Sequence, residues 1–270
     1  MTTPSQFENC GKSIHDRHLR DMASLVYAKA RAVGNRSLDQ YQKYVIFSTP
    51  RVGSSLLGKQ LEQTGQLGKP EEWFSSDLIS TFLSLTASKS MDIREYADWI
   101  IRGTASPTNI FGVNIHIHQY HHLKNNGIDL LDLKFDKIYY LQRRDKVKQA
   151  YSWAKAFKTQ CWNKAIEKEA GFPDGIPVEI SPLEVAEFLT NICKDRKYYE
   201  DNIKQRIKLD REFFYLDIIA DDCHEAMNSI LNDFGLPEAR KKMKMQLSRQ
   251  TNEIDAQRII EIKQFFGLAV

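Results

Sequence analysis

Short runs of β-branched and aromatic residues alternate along this chain with longer stretches in which apolar residues recur every three or four positions. Residues 44–48 (YVIFS) are the first such run, and they pass through TPRVGSS into LLGKQLEQTG, a helical pattern that ends on Gly65. Residues 111–117 (FGVNIHI) and 137–141 (KIYYL) are the next strand candidates. The second leads through QRRD into a long helical stretch, KVKQAYSWAKAFKTQCW. A last strand candidate, residues 213–218 (FFYLDI), precedes a helix over about 222–234 closed by Gly235 and Pro237.

Further helices are predicted over 13–33, where Leu19, Met22, Leu25, Val26 and Ala30 share a face, over 77–89 and 92–102, and after Asn252. Pro173, Gly175 and Pro177 break the chain before another helix. There Ser181 and Glu184 form a capping box, and Pro182 takes the first helical position. Strands alternating with helices predict an α/β fold with a central parallel sheet flanked by helices, and helical insertions over one end. The expected organisation is an N-terminal helical extension, residues 1–40, before a single domain, residues 41–270.

Composition narrows the function. With 42% hydrophobic and 11% aromatic residues the chain can bury a sizeable core, and a net charge of +3 is too small for a general nucleic-acid-binding surface. Any anion site must be local. Four cysteines, Cys10, Cys161, Cys193 and Cys223, stand far apart with no CxxC pair, so neither a zinc site nor a disulfide framework is indicated. The N-terminal stretch lacks an apolar core, and no segment approaches the roughly 18 apolar residues of a membrane span. A cytoplasmic protein without integral membrane association is expected.

The loop after the first strand, Pro50, Arg51, Val52, Gly53, Ser54 and Ser55, carries the most chemistry. A strand running into a glycine-bearing loop and then a helix gathers backbone NH groups and the positive end of the helix dipole around one point, which attracts phosphate. GSSLLGKQ looks like a Walker A loop with Gln60 at the magnesium-binding hydroxyl, which would suit a nucleotide kinase or triphosphatase. Register argues against that, because Gly58 and Lys59 would lie inside the helix. Counted from the strand end, the loop has P-loop length with serine replacing the lysine and Arg51 supplying the charge. Alternatively, Gly53 simply makes a turn and the serines cap the helix.

TPRVGSSLL followed by TGQLGKPEEWF resembles the opening of Stf0-type sulfotransferases, and QRRDKVKQAYSWAKAFKTQCW and SRQTNE resemble later segments of that family. The resemblance spans residues 44–255 and implies a P-loop-like three-layer fold. It also implies transfer of a sulfuryl group from 3′-phosphoadenosine 5′-phosphosulfate to an acceptor hydroxyl, with 3′-phosphoadenosine 5′-phosphate as product and no metal. Arg51, Gly53, Ser54 and Ser55 are the implied binders of the 5′-phosphosulfate, and Arg143 and Ser152 of the 3′-phosphate. Arg249 and Gln250 are placed near the same nucleotide. The implied partner is a small-molecule or glycan acceptor and no nucleic acid; a homodimer is left open.

In-line transfer needs a base for the acceptor hydroxyl, and two candidates present themselves. Glu72 falls on the glutamate that Stf0-type enzymes are thought to use, with Pro70 and Trp73 expected to desolvate it and raise its pKa. His116 falls on the base histidine of eukaryotic cytosolic sulfotransferases. The resemblance favours Glu72. Asn114 stands where both families favour lysine, with Lys59 and Lys146 as candidate substitutes for its charge, and Lys69 stands where trehalose-modifying members carry a glutamate. The sequence also leaves open a nucleotide-binding module without turnover. His116, His118, His121 and His122 form an HxHxxHH cluster whose first two members share a predicted strand face. No carboxylate or cysteine completes a metal set, so none is expected. Trp153 and Trp162 are read as core residues.

Overall fold

The computed structural model describes residues 4–34, 36–86, 92–171, 178–239 and 253–269. Strands β1 (Gln42–Ser48), β2 (Ile110–His116), β3 (Lys137–Gln142) and β4 (Arg211–Phe214) form one parallel sheet in the order β2-β1-β3-β4. The helices in chain order are α1 (Pro4–Val33), α2 (Ser54–Gln63), α3 (Ser76–Leu85), α4 (Ile93–Thr104), α5 (Ile117–Asn125) and α6 (Lys146–Thr159). They continue with α7 (Lys164–Glu169), α8 (Pro182–Tyr198), α9 (Tyr215–Ala220), α10 (His224–Asp233) and α11 (Glu253–Phe265).

The contacts divide the chain into two compact units. The larger, Leu19–Gln142 with Arg196–Met245, holds the whole sheet. Alternation along the strands sends Tyr44, Ile46, Ile110, Tyr139 and Leu141 to one face, where they pack with Leu57 and Leu61 of α2 and Met227, Ile230 and Leu231 of α10. Val45, Phe47, Phe111, Val113, Ile115 and Tyr140 point the other way, onto α1, α4 and α5. Helices on both faces of a parallel sheet make the three-layer α/β architecture that the strand–helix alternation predicts. β1 and β3 are neighbours whose outgoing connections leave in opposite directions, the place where open α/β sheets bind ligands.

Sequence boundaries fail where the ladder runs out. β1 ends at Ser48, opposite His116, so Ile117 has no strand to pair with and opens α5 instead of closing β2. Likewise β3 ends at Gln142, opposite Phe214, and Tyr215 to Ala220 turn helical although FFYLDI reads as one strand. A short apolar run fits either period, and the partner strand decides. The stretch expected to be helical to Trp162 stops at Thr159, because Gln160 is left-handed at φ 55 and Asn163 caps α7. α1 begins earlier than expected, at Pro4 in the first helical position, and α3 closes at Leu85. The capping box before α8 forms as expected, with Glu184 N donating to Ser181 Oγ at 3.2 Å and Ser181 N to Glu184 Oε2 at 2.8 Å. The breakers Pro173, Gly175 and Pro177 lie outside the described residues.

The smaller unit, Met1–His18 with Arg143–Asp195 and Gln246–Val270, is helical among its described residues, and its core joins Val147, Ala150 and Ala154 of α6 to Ile259 and Ile262 of α11. Trp153 is partly buried against that core, touching Phe188, and Trp162 packs beside Ile14 and Ile166.

In β2, Gly112 makes room for a tyrosine: a Cβ there would sit 2.2 Å from the ring of Tyr44, whose hydroxyl donates to Leu67 O at 3.0 Å. Gly112→Ala should therefore destabilise the fold by about 1–3 kcal/mol, the usual range for forcing one extra carbon into a packed core. Urea unfolding measures this, and an unchanged midpoint would refute the packing argument.

Candidate active site

Past Ser48 the chain turns through residues 49–53 before α2. Val52 is fully buried and anchors this loop, Pro50 and Ser54 are buried, and Arg51 is half-buried while Ser55 is exposed. Arg51 and Gly53 both lie in the left-handed region, at φ 68 and 90. A side chain at Gly53 would also press on Ile218 and Tyr215, each 3.0 Å from its Cβ position. Arg51 has no glycine's freedom, and holding it there costs about 1–2 kcal/mol, strain of the kind found at ligand clamps. The loop delivers the chain to α2, whose first-turn NH groups have no intrahelical acceptors and carry the positive end of the dipole.

Gly58 and Lys59 lie within α2, as the register argument requires. The Lys59 ammonium is held by Glu71 at 2.9 Å and Glu62 at 3.0 Å. Both partners are carboxylates, one on α2 itself and one in the segment that follows it.

Residues 69–72 are stitched to the end of α4 and to the edge of the sheet. Lys69 N donates to Thr104 O at 3.1 Å, and Asn114 N donates to Glu71 O at 3.0 Å, adding Glu71 to the edge of β2. Gly58 permits this approach, since a Cβ there would lie 2.7 Å from Pro70 O. Glu72 is thus brought to the carboxyl end of β2, where its Oε1 is 3.1 Å from His116 Nε2. Gln119 Nε2 donates to Glu72 Oε2 at 2.8 Å, while Gln119 Oε1 accepts from the backbone NH of His116 at 3.0 Å. On the other side of the ring, Nδ1 lies 2.9 Å from Ser48 Oγ, which is 3.0 Å from Asn114 Oδ1. The two rival bases are therefore one connected pair. Of the two, Glu72 is the accessible member, one third exposed against 8% for the His116 side chain.

The expected rise in the Glu72 pKa is reversed. Burial does push it upward, but the His116 charge, hydrogen bonds from His116 and Gln119, and the nearby His118 outweigh burial and hold the carboxyl down at about 2. Pro70 and Trp73 signalled desolvation; the opposing imidazole comes from β2, far away in sequence. His118 lies on α5, not on a strand face with His116, although the rings still stack at 5.6 Å. Among the described residues, no group of three or more His, Cys, Asp or Glu side chains is arranged to hold a metal ion.

The smaller unit carries the other implied ligands. Arg143, buried, follows directly on β3, and its carbonyl accepts from Lys146 Nζ. Ser152 lies on α6 and lines a cavity of about 10 Å³ with Tyr151, Lys155, Ala156, Cys161, Glu167 and Asp255, room for one water molecule. Arg249 and Gln250 lie outside the described residues. The sequence pattern marks Ser48 only as a strand end and gives Gln119 no part in the site. A glutamine three residues after a helix cap is a capping signal, but it was masked by reading Ile117 as strand.

A parallel sheet whose first strand runs into a phosphate-type loop, with a carboxylate–imidazole pair at the strand ends, defines an α/β group-transfer protein of P-loop-like architecture. The Stf0 sulphotransferase family model matches residues 43–259, and the chain belongs to that family of enzymes. Among solved structures, a sulfotransferase domain from the curacin biosynthetic pathway aligns at 12% identity over 85% of this chain and 99% of that one, with a TM-score of 0.45. A sulfotransferase from Alicyclobacillus acidocaldarius aligns at 12% identity over 85% and 97%, with a TM-score of 0.39. Comparison with curated proteins returns no match. Among the described residues, no helix is long and apolar enough to cross a membrane.

Proposed function

We propose that this chain moves the sulfuryl group of 3′-phosphoadenosine 5′-phosphosulfate to a hydroxyl of a carbohydrate or glycoconjugate acceptor, in the cytoplasm. The observation that carries the reading is the Glu72–His116 pair, 3.1 Å apart on the end of β2, the strand beside the one that feeds the phosphate-type loop. The donor set suits a phosphosulfate: Arg51, the hydroxyls of Ser54 and Ser55 and the amino end of α2 supply positive potential without the Walker lysine, which is engaged elsewhere. Pro50 and Val52 shape that loop. Arg143 and Ser152 hold the 3′-phosphate, and Arg249 and Gln250 the nucleotide.

Glu72, backed by His116, takes the proton as the acceptor O–H bond breaks. The acceptor oxygen bonds to sulfur, and the bond from sulfur to the phosphate oxygen breaks with its electron pair staying on the departing 3′-phosphoadenosine 5′-phosphate. Arg51 and the loop NH groups stabilise that growing charge, at about 3 kcal/mol for each well-aimed donor. Lys69, turned over the Trp73 ring at 5.9 Å and toward Glu62 at 3.6 Å, makes the acceptor something other than the sugar taken by relatives with a glutamate there.

Calorimetric titration with 3′-phosphoadenosine 5′-phosphate, beside ATP with magnesium, tests the reading. Selective, metal-independent binding of the bisphosphate is expected, weakened by about tenfold or more in Arg143→Ala through loss of a charge-assisted contact. Preference for magnesium ATP would favour a kinase, and tight bisphosphate binding with no sulfated product from any acceptor would favour a module without turnover.

A further inference from the structure

A cavity of about 430 Å³ lies between one face of α1, the turn that follows α2 and the end of α4. That volume falls in the range of small-molecule sites. None of the phosphate-type loop, Glu72 or His116 lines it. Met22, Leu25, Val26, Lys29 and Val33 recur at helical spacing and form its wall on α1. Val26 belongs to the core, but Leu25 and Val33 are 49% and 39% exposed, so large apolar side chains face the cavity uncovered.

The polarity of the lining has one sign. Lys29 makes no ion pair among the described residues. Lys69 is 3.6 Å from Glu62, a carboxylate that Lys59 already holds at 3.0 Å. Arg102, more than nine-tenths buried, is paired with Asp98 and donates to Gly34 O at 2.8 Å, yet its Nε finds no acceptor among the described residues, although a buried donor normally has one. With Arg102 answered by Asp98 and Glu62 shared between two lysines, the surplus is positive. The neutral hydroxyls are already used: Thr104 Oγ1 donates to Ile100 O at 2.7 Å, and Ser106 Oγ lies 2.6 Å from Thr108 Oγ1 and accepts from Ile110 N at 3.1 Å. Apolar contact and ammonium groups suit a sugar's many hydroxyls poorly and an amphiphile with a negative end well.

We propose that this cavity is a second ligand site and that it binds an amphiphilic organic anion, a hydrocarbon body ending in a carboxylate or a group of like charge. The hydrocarbon covers Leu25 and Val33, and the anionic end is held by Lys29 and Lys69. The site stands apart from the sulfotransferase reading, because binding alone reads it out.

Calorimetric titration of the full-length protein with decanoate, decyltrimethylammonium and inorganic phosphate separates the two halves of the claim. Decanoate should bind one to one, while the cationic amphiphile and phosphate alone should not. Ala32→Trp, at an exposed position of α1 that lines the cavity, fills it and should abolish decanoate binding. Leu25→Glu, at another exposed position, sets a like charge in the wall and should do the same, so a folding defect in one variant leaves the other as the test. Lys69→Gln should weaken binding by about tenfold through loss of one charge-assisted contact. Methionine-methyl NMR gives the location: the Met22 signal, identified with Met22→Leu, should shift on adding decanoate. No decanoate binding, equal binding of decyltrimethylammonium, unchanged affinity in a folded Ala32→Trp or Leu25→Glu variant, or a Met22 signal that stays in place would overturn the proposal.

Discussion

Glu72→Gln should cut sulfuryl transfer by about a hundred- to ten-thousandfold, the usual worth of a positioned general base, with binding of 3′-phosphoadenosine 5′-phosphate unchanged. Glutamine keeps the shape of the side chain and one acceptor toward its neighbours but cannot take a proton at neutral pH. The carboxyl titrates at about 2 in the folded chain against an ordinary 4.5. Its ionised form therefore contributes stability in full above about 4.5, and that contribution disappears as pH falls through about 2. Glu72 is thus ionised throughout the range in which an enzyme is assayed. Any fall in rate as the pH drops from about 7 to 5 then reports an imidazole, the side chain whose ordinary titration lies there. Rate profiles of wild type, Glu72→Gln and His116→Ala separate the two contributions. A Glu72→Gln variant with full kcat would remove Glu72 from the mechanism.

Asp255→Ala should destabilise the protein by about 3–5 kcal/mol, the cost of leaving one member of a buried ion pair unpaired. Asp255 on α11 receives Lys155 Nζ at 2.8 and 3.1 Å and the Tyr151 hydroxyl at 3.0 Å, both from α6, and Asp255 and Lys155 are almost wholly buried. Closer to the start of α6, Lys263 reaches Asp145, the N-cap residue, at 3.0 Å. That outer pair is far more exposed and should contribute no more than about 1 kcal/mol. Because α6 also carries Ser152, loosening α11 should weaken bisphosphate binding. Replacing both partners at once, Asp255→Leu with Lys155→Met, should recover most of the stability, since neither charge then needs a partner. Urea unfolding midpoints measure each step. A cost below about 1 kcal/mol for Asp255→Ala would mean that water reaches the ammonium.

The sequence alone determined the class of fold and the strand, loop and helix order from β1 to α2, because both rest on local order. The strand run 44–48 and the helical pattern after it carry their periods in the local sequence, and the count from Ser48 to Gly53, Ser54 and Ser55 survives folding unchanged. Local signals also carried the start of α8, where the capping partners are three residues apart. The tertiary structure decided where the ladders stop, turning Ile117 and Tyr215 into helix openings because β1 and β3 had ended beside them. It paired the two candidate bases as well. Glu72 comes from an edge segment pinned by Asn114 and His116 from the end of β2, 44 residues further on, so no window along the chain could show them as a pair. The pKa reversed for the same reason: burial could be guessed from Pro70 and Trp73, whereas an opposing charge depends on distance in space, which only the packed sheet sets.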